Sequence, residues 1–164
     1  MKLTVSDLAS VARIQEQEKI TKILGIIEYD PTPTYHKFYD AEKTIIIVGD
    51  HEWSQNEMSP THKTVYDILK FSSELKEDDN IIVHCHAGIS RSTAAALIIL
   101  YDKIGDINKA SELLVQTRPQ AAPNRLICKL ADELLETGTT IFDAAHKLNL
   151  RNDYKDFWNN KLQR

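Results

Sequence analysis

The feature that most constrains this chain is the apolar run Ile81-Ile82-Val83. It ends on His84-Cys85 and passes through His86-Ala87-Gly88-Ile89-Ser90 into a helical pattern opening at Arg91-Ser92. A short β-branched run of this kind reads as a buried strand. A helix that opens straight after a strand and a tight loop aims its free N–H groups and positive dipole end at one point. An anion is stabilised there, and Gly88 lets the backbone curl around it with no Cβ in the way. The unit therefore predicts an α/β fold with a central, mostly parallel sheet flanked by helices.

The remainder of the chain fits that frame. Further strands are expected at Lys2–Val5, Lys22–Ile27 and Thr44–Val48, with the central one at Asn80–His84. Helical patterns run from Ser6-Asp7 to about Glu18, from Ser59-Pro60, from Arg91 to about Tyr101, and near Ile107–Thr117, Asn124–Glu136 and Thr139–Leu148. Pro31 and Pro33 make Tyr29–Asp40 a loop or edge excursion. No repeat or linker splits the chain, so residues 1–148 are expected to form one domain. Residues 149–164, with Tyr154, Phe157 and Trp158, form an extension that is either a final amphipathic helix or partly ordered.

The chemistry lies in the loop. Helix N-termini and nearby cations favour the ionised form of a thiol, so Cys85 is expected to be a thiolate nucleophile at neutral pH. The fork of Arg91 can hold two phosphoryl oxygens at once, and the backbone of His86, Ala87, Gly88, Ile89 and Ser90 supplies the rest of the cradle. The Ser92 hydroxyl can donate to the sulfur when it becomes the leaving group.

Composition narrows the function class. The 164 residues carry a net charge of −4, which argues against a nucleic-acid partner, since such binding needs a basic footprint. Two cysteines are too few for a disulfide scaffold, and no apolar stretch is long enough to span a membrane. The N-terminus lacks the apolar run of a signal peptide, which makes a reducing cytoplasm the expected location. His51, His62, His84 and His86 have no recognisable zinc spacing, so no metal or other cofactor is expected. Nothing in the sequence sets the oligomeric state.

The string His84-Cys85-x5-Arg91-Ser92 resembles the signature loop of the protein-tyrosine and dual-specificity phosphatase superfamily. The fuller His-Cys-His-Ala-Gly-Ile-Ser-Arg-Ser looks like the dual-specificity branch, including its short bacterial members. The resemblance runs from about Thr44 to about Leu135, and within it Arg118-Pro119 and Pro123-Asn124 resemble a downstream segment of that branch. It implies hydrolysis of phosphate monoesters through a phosphocysteine, on phosphotyrosine and, in a shallower site, phosphoserine or phosphothreonine of proteins. It also implies that His84 props the loop and that Asn124 braces it. The family's acid is an aspartate on a mobile loop upstream of the cysteine, and Asp50, 35 residues before Cys85, sits where it belongs. The tyrosine-specific enzymes read Trp-Pro-Asp there, whereas this chain reads Val-Gly-Asp-His. Glu52 and Glu57 are fallback acids.

Several residues carry two readings. His86 either touches substrate or is merely solvated, and Trp53 either packs on the acid loop or is half-buried. Cys128, among Leu126, Ile127, Leu130 and Leu134, is either core or a redox partner of Cys85. Tyr29, Tyr35, Phe38 and Tyr39 either wall a cleft or cover the core. For the chain as a whole the alternatives are a silent phosphate-binding module, an inositol-phosphate phosphatase and a sulfur-transfer enzyme. The absence of lysine from the loop weighs against inositol phosphates, and Arg91-Ser92 weighs against sulfur transfer.

Overall fold

The structure, a computed structural model, describes residues 1–29 and 41–151. Four strands, β1 (Lys2–Asp7), β2 (Lys22–Ile27), β3 (Glu42–Ile47) and β4 (Asn80–Cys85), form one sheet in the order β1-β4-β2-β3. Every pairing is parallel, so the expected mostly parallel sheet is wholly parallel among the described residues. Six α-helices accompany it among those residues: α1 (Val11–Gln17), α2 (His62–Ser73), α3 (Arg91–Ile104), α4 (Ile107–Thr117), α5 (Arg125–Leu135) and α6 (Thr140–Asn149).

Alternate strand residues face opposite layers, as the pleat requires. Leu24, Ile26, Ile81 and Val83 join the larger core with Ile68, Leu97, Ile98, Leu114, Ile127 and Ile141 from α2–α6. Ile23 and Ile82 face the other way, onto a smaller core with Val11 and Ile14 of α1. α3 runs through the middle and is buried at every residue from Arg91 to Leu100. Its Ala94-Ala95-Ala96 run has small side chains, which let the helix sit close among its neighbours. Leu97, Ile98 and Ile99 are fully buried, each stabilising the fold by about 1.5–3 kcal/mol.

Several boundaries differ from the sequence reading: the strand expected over Thr44–Val48 spans Glu42–Ile47, for example, and the helix expected to end near Tyr101 runs on to Ile104. The helix expected to open at Ser59-Pro60 begins at His62, because Thr61 and Thr64 form a reciprocal capping box one turn later. β1 runs on to Asp7, pairing through to Cys85 of β4. Asp7 still acts as a cap, its carboxylate accepting from Ser10 N at 2.8 Å, but the turn it caps is a 3-10 turn, Leu8–Ser10. Pro31, Pro33, Tyr35, Phe38 and Tyr39, and the extension beyond Arg151, lie outside the described residues. Among the described residues no helix is long and apolar enough to cross a membrane.

Candidate active site

In a parallel sheet the carboxyl ends of all strands lie on one edge, where open α/β folds place their sites. Here that edge gathers Asp7 from β1, Cys85 from β4, Glu28 after β2 and Asp50 shortly after β3. The order β1-β4-β2-β3 sets Cys85 between the ends of β1 and β2.

Cys85 is buried, and its Sγ accepts from Gly88 N at 3.3 Å and lies 3.2 Å from Ser92 Oγ. Gly88 has φ +69°, and a Cβ there would come within 2.5 Å of the Ser6 carbonyl carbon. Only glycine fits where the loop crosses β1. Ser90 stands at the N-cap of α3, yet its hydroxyl caps nothing. It donates instead to Asp50 Oδ1 at 2.6 Å, so the helix N-terminus keeps N–H groups for an anion. His86 and Ala87 are exposed at the loop tip, and Ile89 is buried.

Arg118, just past α4, braces the loop from outside. It donates through Nε to Gly88 O at 2.8 Å and through Nη2 to Ala87 O at 3.0 Å. With two carbonyls turned toward the guanidinium, the peptide N–H groups point the other way. Asp7 Oδ2 lies 3.8 Å from Arg118 Nη2. Burial lowers the Arg118 pKa below its ordinary value, while the charges of Asp7 and Cys85 act in the opposite sense.

His84 is fully buried, with Nδ1 3.2 Å from Cys85 O. A carbonyl only accepts, so Nδ1 carries the proton. Burial lowers the His84 pKa to about 4, against weaker raising effects from that hydrogen bond and from Asp7. The ring is therefore neutral at pH 7 and holds the loop without a charge.

Arg91 has a 4% exposed side chain. Its Nη1 donates to Val48 O at 2.8 Å and meets Glu28 Oε2 at 2.9 Å. Its Nε is buried with no hydrogen-bond partner, and the Asp50 Oδ2 atom lies 4.0 Å away. Burial raises the Glu28 carboxyl. Hydrogen bonds from Arg91 and from its own backbone, with the Arg91 and His86 charges, outweigh this and leave its pKa below the ordinary carboxylate value.

Asn124 links the loops. Its Nδ2 donates to Asp50 Oδ1 at 2.9 Å and to His51 O at 3.0 Å, and its Oδ1 caps α5 through Ile127 N. Its own N–H donates to Ser90 O at 3.2 Å. Glu52 adds a second tie, pairing with Arg125 Nε at 2.9 Å. Behind Asp50 the segment is bonded to itself, Gly49 N to Met58 O at 2.7 Å and Gln55 N to Ser59 Oγ at 2.9 Å. Trp53 is exposed beside it, and so does not pack as a half-buried residue.

The structure thus brings Cys85, Arg91, Ser92, Asp50, Asn124 and the loop His86–Ser90 together. Glu57 is exposed and stands outside this bonded set, whereas Glu52 serves as a tie to α5. Cys128 is fully buried, and burial, with the charges of Asp132 and Glu52, pushes its thiol well up, as suits a core residue. Glu28 and Asp7 join the site without any local sequence signal, and Arg118 carries only that of a familiar segment. Among the described residues no group of three His, Cys, Asp or Glu could hold a metal ion.

The fold resembles solved phosphatases. DUSP15 superposes with TM-score 0.62 at 24% identity, over 91% of this chain and 91% of that one. The Yvh1 phosphatase domain from Chaetomium thermophilum gives 0.63 at 24%, over 83% and 91%. PTPMT1 in complex with PI(5)P gives 0.60 at 14%, over 83% and 94%. No curated protein matches by sequence. The family model for protein-tyrosine phosphatase matches residues 13–122, starting well before Thr44 and stopping just short of Asn124. That match takes in the Cys85 loop and more than half of the sequence, and the chain belongs to the protein-tyrosine phosphatase family.

Proposed function

We propose that this protein hydrolyses phosphate monoesters through a phosphocysteine on Cys85, acting on phosphotyrosine and also on phosphoserine or phosphothreonine of protein substrates. The observation that carries this reading is the buried Nε of Arg91, which has no hydrogen-bond partner and only the Asp50 carboxylate 4.0 Å away, beside a loop that ends on a helix N-terminus. A buried donor without an acceptor costs about 1–3 kcal/mol, and a phosphoryl oxygen is the acceptor that this setting suits.

The steps follow from the positions. The Cys85 thiolate attacks phosphorus in line, forming the S–P bond as the P–O bond to the leaving group breaks. Arg91, through Nε and Nη2, and the N–H groups of His86–Arg91 hold the equatorial oxygens. Asp50 supplies the proton to the leaving oxygen from Oδ2, because Oδ1 is committed to Ser90 and Asn124. Water then attacks phosphorus, Asp50 takes its proton, and the S–P bond breaks. Ser92 Oγ, 3.2 Å from the sulfur, donates to the departing thiolate. Neutral, buried His84 serves as a prop and takes no proton. Catalysis here is positioning and charge stabilisation, and none of these steps calls for a cofactor. Both cysteines are free, and a reducing cytoplasm would keep Cys85 so.

A monophosphate on a protein suits the described rim better than an inositol phosphate does. The loop offers His86, Ala87, Ile89 and Ser90 with no lysine to meet the further phosphates of an inositol ring. A silent binding module would have no use for the Ser92 hydroxyl beside the sulfur. The test is turnover of aryl phosphate and phosphopeptides by wild type with chelator present. Chelator-resistant hydrolysis supports the reading. Binding of phosphate or vanadate with no turnover of any of them overturns it in favour of a binding module.

A further inference from the structure

A cleft of about 350 Å³ lies against the acid loop, between Glu52-Trp53 and the helices α5 and α6. Trp53, Leu126 and Phe142 give it apolar walls, and Arg125 and Lys129 stand on it as cations. A second cleft, of about 320 Å³, shares Lys129 and Phe142 with the first and continues past Glu133. Trp53 is 62% exposed, so most of its indole is area still open to burial. Arg125 already holds Glu52 at 2.9 Å. Lys129 meets Glu133 Oε1 at 3.9 Å, and that carboxylate's other oxygen is bonded to His62 at 2.8 Å. Position ties the cleft to the chemistry. Trp53 follows Asp50 by three residues, which limits their separation to roughly 10–11 Å. From the other side, Arg125 directly follows Asn124, whose Nδ2 donates to Asp50 Oδ1. An extended substrate chain gains about 3.3 Å per residue, so the second or third neighbour of the phosphorylated residue reaches as far as this cleft.

We propose that this cleft is a substrate subsite: it takes a large apolar side chain two or three residues from the phosphorylated one, with an acidic residue beside it meeting Lys129. The proposal rests on the phosphatase reading above. A peptide is the occupant that the shape favours, because two open clefts in line suit an extended chain, whereas a compact molecule would need only one. Trp53 suits the role of anchor, since an indole offers a large contact area at little cost in rotamer freedom. Lys129, with its side chain 63% exposed and its one carboxylate shared with His62, has charge left for a substrate carboxylate. The Glu52–Arg125 pair holds the end of the cleft nearest Asp50, so a peptide seated there lies against the segment that carries the acid.

The experiment measures kcat/KM for an aryl phosphate and for phosphotyrosyl peptides in wild type, Trp53→Ala and Lys129→Glu. The peptides carry Leu or Ala at the second and third positions on either side, with or without a neighbouring Glu. Each peptide value is divided by the aryl phosphate value for the same variant, so that damage to the catalytic centre cancels. Wild type is expected to prefer Leu over Ala by about 3–10-fold on one side of the phosphotyrosine, as partial burial of one large side chain gives. Trp53→Ala, at an exposed position that leaves the core intact, is expected to remove that preference. Lys129→Glu is expected to keep it while reversing the preference for Glu, an effect of about 2–5-fold that fades in high salt. Equal values for the Leu and Ala peptides in wild type, or a Leu preference that survives Trp53→Ala, would overturn the proposal. So would a dimer in sedimentation that Trp53→Ala breaks, since a second copy would then fill the cleft. A wild type that turns over no aryl phosphate would sink the phosphatase reading alone. Binding of the same peptides to Cys85→Ser by fluorescence anisotropy, with and without Trp53→Ala, would still decide the subsite.

Discussion

Asn124 Nδ2 donates to Asp50 Oδ1 at 2.9 Å across 74 residues of sequence, while the Asn124 backbone N–H holds Ser90 O at 3.2 Å. One residue at the start of α5 thus sets the distance between the acid loop and the phosphate loop. Its Oδ1 completes the arrangement by capping the helix. Asn124→Ala is expected to cost about 1–3 kcal/mol of stability through the lost cap and the unpaired groups. It should also lower kcat about 10–100-fold, because Asp50 is then held by Ser90 alone and the acid loop loses its tie to α5. Thermal melts and steady-state kinetics check the two parts separately.

Asp50 itself is the proton donor in this scheme. Asp50→Asn keeps the shape and removes the proton, so kcat for a phosphopeptide should fall about 10²–10⁴-fold. Aryl phosphates with increasingly acidic phenols need less protonation. The loss should shrink along that series, and a variant equally impaired on all of them would exclude Asp50 as the acid.

Much of this centre can be read locally. Cys85, Arg91 and Ser92 lie within one strand-loop-helix unit, and local pattern is enough to place Cys85 at the strand end and Arg91 and Ser92 at the helix N-terminus. The helical patterns over Ile107–Thr117 and Asn124–Glu136 are legible for the same reason, since Asp106 and Asn124 cap them with their own side chains. The start of α2 is not. Pro60 marks where a helix can begin, but the Thr61–Thr64 capping box decides that it begins at His62. Glu28 and Asp7 are beyond local reading altogether. Their place at the site comes from the strand order, which sets β1 and β2 on either side of β4. Nothing in the residues around Glu28 announces that partner.

Gly88 is a steric requirement as well as a conformational one. With φ +69° and β1 backbone within 2.5–2.6 Å of a would-be Cβ, Gly88→Ala must displace the loop or Ser6-Asp7. A loss of about 2 kcal/mol or more is expected by denaturant unfolding. Vanadate binding should weaken with it, since the loop can no longer close at its native radius.

His84 makes stability depend on pH. Its folded pKa of about 4 lies below the ordinary 6.5, so the unfolded chain binds the extra proton first. The contribution is complete above pH 6.5 and declines as pH falls from there toward 4, by roughly 3 kcal/mol at most. Unfolding free energies measured from pH 7 to pH 4 should show that slope, and His84→Asn should flatten it. A wild-type curve level through this window would contradict the buried neutral ring.

The most direct measurement is rapid acid quench of Asp50→Asn mixed with an aryl phosphate, followed by mass spectrometry of the peptide containing Cys85. This variant still forms the S–P bond with a good leaving group but lacks the base that speeds its hydrolysis. A phosphoryl group on Cys85, absent from Cys85→Ser, is the predicted result. Turnover that persists in Cys85→Ser, or that proceeds with no phosphoryl group ever found on Cys85, would contradict it.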